Sequence, residues 1–115
     1  MISGMKKTEF RGTSLEDLRI FPEMAKRDAG YQIDRVQRGL EPDDFKPMTS
    51  VGKSVYEIRV QDQSGAFRVI YIAKIEKYVY VLHCFQKKTR KTAQKDVDLA
   101  KSRLRELRKE LRDEK

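Results

Sequence analysis

Between Val55 and Lys88 apolar and polar residues alternate in twos, and on either side of that stretch the spacing lengthens to threes and fours. Over Val55–Asp62, Tyr56, Ile58 and Val60 alternate with Glu57, Arg59 and Gln61, the pattern of a half-buried strand. Asp62-Gln63-Ser64-Gly65 supplies turn residues. Phe67–Ile75 and Tyr78–Phe85 are rich in β-branched and aromatic residues, with Glu76-Lys77 the only polar break between them. Three strands in an antiparallel meander are predicted.

The flanks read as helices. Ser14-Leu15-Glu16-Asp17 has the form of a capping box, with Leu15, Leu18 and Phe21 turned inward. Pro22 then kinks that helix or opens a second at its first position. Ala25, Ala29, Ile33, Val36 and Leu40 recur at helical steps, and Gly39 and Pro42 mark the end. Helices therefore span 14–40, and Glu41–Lys53 is a loop leading into the sheet. Beyond the meander, Ala93, Val97, Ala100, Leu104, Leu107 and Leu111 form an apolar seam on a helix over 92–112, about six turns at 1.5 Å per residue. Lys6–Arg11 reads as a short edge strand with lysines that resist unwanted pairing, and residues 1–5 as a loose extension. The fold class is α+β: two N-terminal helices, an antiparallel sheet of three to four strands, and a basic C-terminal helix in one domain.

A register follows from the turns. A loop centred between Gln63 and Ser64 sets Arg59 opposite Arg68, and a two-residue loop at Glu76-Lys77 sets Phe85 beside Arg68 and His83 beside Ile70. One face then holds Tyr56, Ile58, Val60, Phe67, Val69, Tyr71, Ala73, Tyr80, Leu82 and Cys84 as a core. The other holds Glu57, Arg59, Arg68, His83, Phe85 and Lys87. Like charges directly opposite on a sheet repel, and an anion held between two guanidinium forks is a natural reason for the pair. Bridging by acids such as Glu57 or Glu106 is the plainer alternative.

Charge sharpens this picture. The chain carries a net +8 with a pI near 9.7, and twelve basic against six acidic residues lie between Gln86 and Lys115. Such a balance favours a polyanionic partner, nucleic acid or an acidic protein. Lys87, Lys88, Arg90 and Lys91 extend the suspected anion site. A single cysteine, Cys84, fits a reducing cytoplasm and a small buried hydrophobe. No metal-ligand spacing, phosphate loop, signal segment or membrane-spanning run is present, so no metal or cofactor and no membrane association is expected.

The pieces VGKSVYEIRVQDQSGAFRVIYIAK, VYVLHCFQKKTRKT and DLAKSRLREL, with LRIFP and AGYQIDRVQRGL upstream, resemble the RelE/ParE toxin superfamily, and specifically its HigB-like, phage-derived branch. The resemblance covers nearly the whole chain. It implies a RelE-like fold and a toxin of a type II toxin–antitoxin system acting as a ribosome-dependent mRNA endoribonuclease. Its partners would be the ribosome, mRNA and a helix-turn-helix, HigA-like antitoxin. By the family pattern Arg59, Arg68 and Lys87 are catalytic, with His83 a further candidate, and Phe85, Lys88, Arg90 and Lys91 bind RNA or the ribosome. Members differ in their acid and base, and no C-terminal tyrosine of the RelE kind follows Phe85, which leaves those roles open. A gyrase-poisoning toxin of the ParE kind, or a non-catalytic nucleic-acid-binding module, is the alternative.

Overall fold

The computed structural model describes residues 5–75 and 77–113, so the expected loose start of the chain lies outside the described residues except for Met5. In chain order the elements are β1 (Lys7–Phe10), α1 (Ser14–Arg19), α2 (Glu23–Gln37), β2 (Phe45–Pro47), β3 (Val55–Asp62), β4 (Gly65–Ile72), β5 (Tyr78–Lys87) and α3 (Gln94–Asp113). The strands form one five-stranded sheet in the order β1-β5-β4-β3-β2. The β3–β4–β5 meander is antiparallel, as its alternation predicts. The sheet as a whole is mixed, because β1 runs parallel to β5. The three- to four-stranded antiparallel sheet is therefore corrected to five mixed strands. The extra strand, β2, lies within the stretch read as a loop, and only three residues pair there.

Helices cover both faces of the sheet. Leu18 and Phe21, with Ala25, Ala29, Ile33 and Val36 of α2, pack on Ile58, Val60, Phe67, Val69, Tyr71, Val79, Val81 and Cys84. On the other face, Val97, Ala100, Leu104 and Leu107 of α3 pack on Val55, Ile70, Ile72, Tyr80, Leu82 and Phe85. The 4-3-4-3 seam read from the sequence is thus the buried stripe of α3.

Tyr80 and Leu82 are on the face opposite to the one predicted. The register Arg68↔Phe85 and Ile70↔His83 holds, but a shift between Ile70 and Tyr71 pairs Tyr71 with Val81 and Ile72 with Tyr80. One extra residue on β5 flips the side chains beyond it. Val79 and Val81 therefore join the α1–α2 core, and Tyr80 and Leu82 join the α3 core.

The predicted capping box is not formed. Thr13 is the N-cap of α1, its hydroxyl donates to Asp17 at 2.9 Å, and Ser14 is wholly buried with its hydroxyl donating to the Val81 carbonyl. Pro22 caps the start of α2. That helix ends at Gln37, with Gly39 at φ 83°, a conformation glycine adopts at little cost. Leu40 falls beyond the helix and is half exposed, so it is no part of the seam.

Candidate functional site

Arg59, Arg68 and Phe85 lie side by side across β3, β4 and β5, with Ala66↔Lys87 the next pair along. Beneath this row sits Glu57, with no solvent exposure. One of its oxygens accepts a hydrogen bond from Thr92 at 2.8 Å. The other lies 3.6 Å from Arg68 Nε and 3.8 Å from Lys46 Nζ, and has no hydrogen bond. Lys46 reaches Glu57 because β2 pairs it directly opposite.

Arg68 is itself buried; one guanidinium nitrogen donates to the Phe67 carbonyl at 3.0 Å, while Nε has no hydrogen-bond partner. Its pKa is lowered, first by burial and against the pull of Glu57, with Arg59 adding repulsion. The Lys87 ammonium is also held below its usual value, by desolvation and then by Arg68 and Lys46. One buried carboxylate thus sits among four cations, Lys46, Arg59, Arg68 and Lys87. With Asp44, which holds Arg59 from the surface, two carboxylates stand against these four cations, so the local charge is net positive.

Arg59 is tied outward to Asp44, at 2.9 Å from Nε and 2.8 Å from Nη2. The two arginines are held by different acids, Arg59 by Asp44 and Arg68 by Glu57, and among the described residues Glu106 forms no ion pair with either. His83 is buried, its Nε2 lies 2.7 Å from a carboxylate oxygen of Asp96 in α3, and its pKa is lowered by burial, against the opposing effect of its hydrogen bond to Asp96. Its ring stacks on Phe85 at 4.7 Å between centroids and 19° between planes. Phe85 is 9% exposed and lines a cleft of about 370 Å³ with Lys87, Lys88, Thr89, Lys95 and Asp96. Lys88, Arg90 and Lys91 are exposed on the loop leading from β5 to α3. Among the described residues, no group of three or more His, Cys, Asp or Glu is placed to hold a metal ion.

The phage-derived Gp49-like family matches over residues 16–105, from α1 well into α3. The chain belongs to that family. Comparison with curated proteins gives no match. A mutant of E. coli toxin RelE in the free state is similar at a TM-score of 0.58 and 16% identity, over 82% of this chain and 96% of that one. The RelBE2 toxin–antitoxin complex of Mycobacterium tuberculosis aligns at a TM-score of 0.49 and 19% identity, over 72% of this chain and 99% of that one. The likeness to RelE establishes a RelE-like fold.

In this Gp49-like chain the partners missed in the sequence are Lys46, Asp44, Thr92 and Asp96. Lys46 and Asp44 arrive with β2, whose three-residue pairing leaves almost no periodic trace. Thr92 and Asp96 arrive from the start of α3, which local pattern cannot place over the sheet. Glu57 was visible, in the same polar alternation as Arg59, but only its full burial reveals that it underlies the whole cluster.

Proposed function

We propose that this chain is the toxin of a type II toxin–antitoxin system and cleaves mRNA on the ribosome without a metal ion. The observation that carries the reading is the row Arg59–Arg68–Phe85, with Lys87 alongside, over one buried carboxylate. The RelE-like fold and the family membership support it. In the proposed reaction the 2′-hydroxyl of the RNA attacks the adjacent phosphorus, the bond to the 5′-oxygen breaks, and a 2′,3′-cyclic phosphate is left. The attacking hydroxyl loses a proton and the departing oxygen gains one.

Arg68 stabilises the charge that grows on the phosphorane, and its burial strengthens that interaction relative to one in water. Glu57 holds Arg68 in place from below. Arg59 exchanges Asp44 for the phosphate and orients it. Lys87, its pKa already drawn down, donates to the leaving oxygen more readily than an ordinary lysine. His83 is a positioning residue: anchored by Asp96, it fixes the Phe85 ring at the edge of the cleft. Lys88, Arg90 and Lys91 attract the RNA backbone. The partners are ribosome-bound mRNA and, in the resting cytoplasm, a helix-turn-helix antitoxin with acidic complementarity to this face.

Expression of the chain alone arrests bacterial growth, and Arg68→Ala relieves the arrest. Removing one such transition-state contact costs ~100-fold or more in rate. A variant with parental circular dichroism and parental toxicity would show that this row is not the site.

A further inference from the structure

Outside the sheet site, the densest unpaired charge lies on the outer side of α3. Lys101, Arg105, Arg108 and Arg112 follow one another at steps of four, three and four. At 3.6 residues per turn they fall within an arc of about 60° and make a ridge roughly 17 Å long. All four are exposed, and none forms an ion pair or a side-chain hydrogen bond among the described residues. Asp98, three residues before Lys101, accepts a hydrogen bond from Gln94 and forms no ion pair with the ridge among the described residues. Glu106 and Glu110 lie on the opposite flank, where Glu110 bridges to Arg11.

The ridge borders a shallow cleft of about 220 Å³ floored by Val51 and Leu104. The loop before β3 closes onto it so tightly that a Cβ at Gly52 would stand 2.7 Å from Leu104. That loop also carries the exposed Lys53. Four like charges kept unpaired along one line, on a helix with acids to spare, repel one another unless a polyanion meets them.

We infer that this ridge grips the phosphate backbone of a structured, double-helical RNA, as a docking surface separate from the cleavage site. The reading deepens the proposed function by naming what holds the enzyme in position. Single-stranded RNA is held by aromatic platforms, and the ridge has none. Protein interfaces are centred on buried apolar or aromatic anchors, and the only exposed large apolar residue of α3, Leu99, is not on the ridge side. Backbone contact without base readout is how RNA duplexes are recognised.

The test uses the full chain carrying Arg68→Ala, so that no RNA is cut, and a long-stemmed RNA hairpin as probe. Its affinity is followed between about 50 and 200 mM salt. Replacing Lys101, Arg105, Arg108 and Arg112 with Gln is expected to weaken binding by at least tenfold at low salt. The slope of log affinity against log salt is expected to fall by about 3. The pair Arg105→Gln/Arg108→Gln, with thermal melting as control, is expected to show about half the change in slope. In the parent background the same pair is expected to slow cutting of translated mRNA while Arg68 remains intact. If the hairpin binds the ridge variant as tightly as the unaltered ridge, the inference is overturned. It is equally overturned if hairpin binding survives but antitoxin binding is lost, which would make the ridge a protein-docking surface. Loss of cutting in Arg68→Ala with hairpin binding intact keeps the two sites apart, and failure of the cleavage reading leaves the binding result standing.

Discussion

Glu57 and Asp44 each pair with an arginine of the same row, yet the two pairs differ in worth. Arg59 and Asp44 meet at the surface with their side chains 40% and 57% exposed, where an ion pair contributes roughly 0–1 kcal/mol. Arg68 and Glu57 are 10% and 0% exposed, so removing the acid leaves a buried guanidinium uncompensated. Glu57→Gln is therefore expected to cost about 3 kcal/mol, the scale for breaking one side of a buried pair. Asp44→Asn should cost less than 1 kcal/mol. Urea unfolding distinguishes them through the midpoint at an unchanged slope. Equal midpoints in the two variants would contradict the placement of Glu57 under the cluster. Burial decides the ranking, and both residues look alike as acids in the sequence.

At the scale of the element, the far half of the β4–β5 ladder was legible and the near half was not. Alternation and turn residues placed Arg59, Arg68 and Phe85 in one row, because a buried face penalises any slip. They missed the extra residue near Leu82, since Val79, Tyr80, Val81 and Leu82 are all apolar and both faces of this sheet are buried. Nothing in such a run marks which residue is the bulge. The same two-sided burial explains why a polar face was expected where α3 lies over apolar residues. Seen from the helix, its seam was plain; its docking surface was not. Capping failed for another reason: Ser14 finds a better acceptor in Val81, a strand distant in sequence.

The bulge is also where α3 is fastened. Arg103 donates from Nη1 to the Leu82 carbonyl at 2.9 Å and from Nη2 to the Thr13 hydroxyl at 3.0 Å. Gly12, at φ 56°, leaves room for that guanidinium, since a Cβ there would stand 2.3 Å from Arg103 Nε. Gly12→Ala should thus act twice, through a left-handed backbone cost of about 1–2 kcal/mol and by pushing Arg103 off Leu82. In a double-mutant cycle, Gly12→Ala in an Arg103→Ala background should retain only the backbone part. Strict additivity of the two changes in thermal melting would show that the glycine does not make way for Arg103.

On the scale of the molecule, sequence charge and structure converge. The net +8 is spread over a sheet row, a loop and a helix ridge. None of the described helices is long and apolar enough to cross a membrane. The composition pointed to a polyanion, and in the proposed reading that attraction is divided into a place to cut and places to hold. If the proposed cleavage holds, a chain with a buried histidine and an arginine tied to Asp44 has little alignment of its own to offer. In this account the ribosome supplies it by presenting mRNA in a fixed, extended geometry. Primer extension on one message is the direct measurement, with and without a start codon in a translation extract, and as naked RNA with EDTA. Cuts confined to the translated frame are the expected result. Equally fast cutting of the untranslated or naked message would contradict the ribosome requirement, and naked-RNA cutting that EDTA abolishes would contradict the metal-free chemistry.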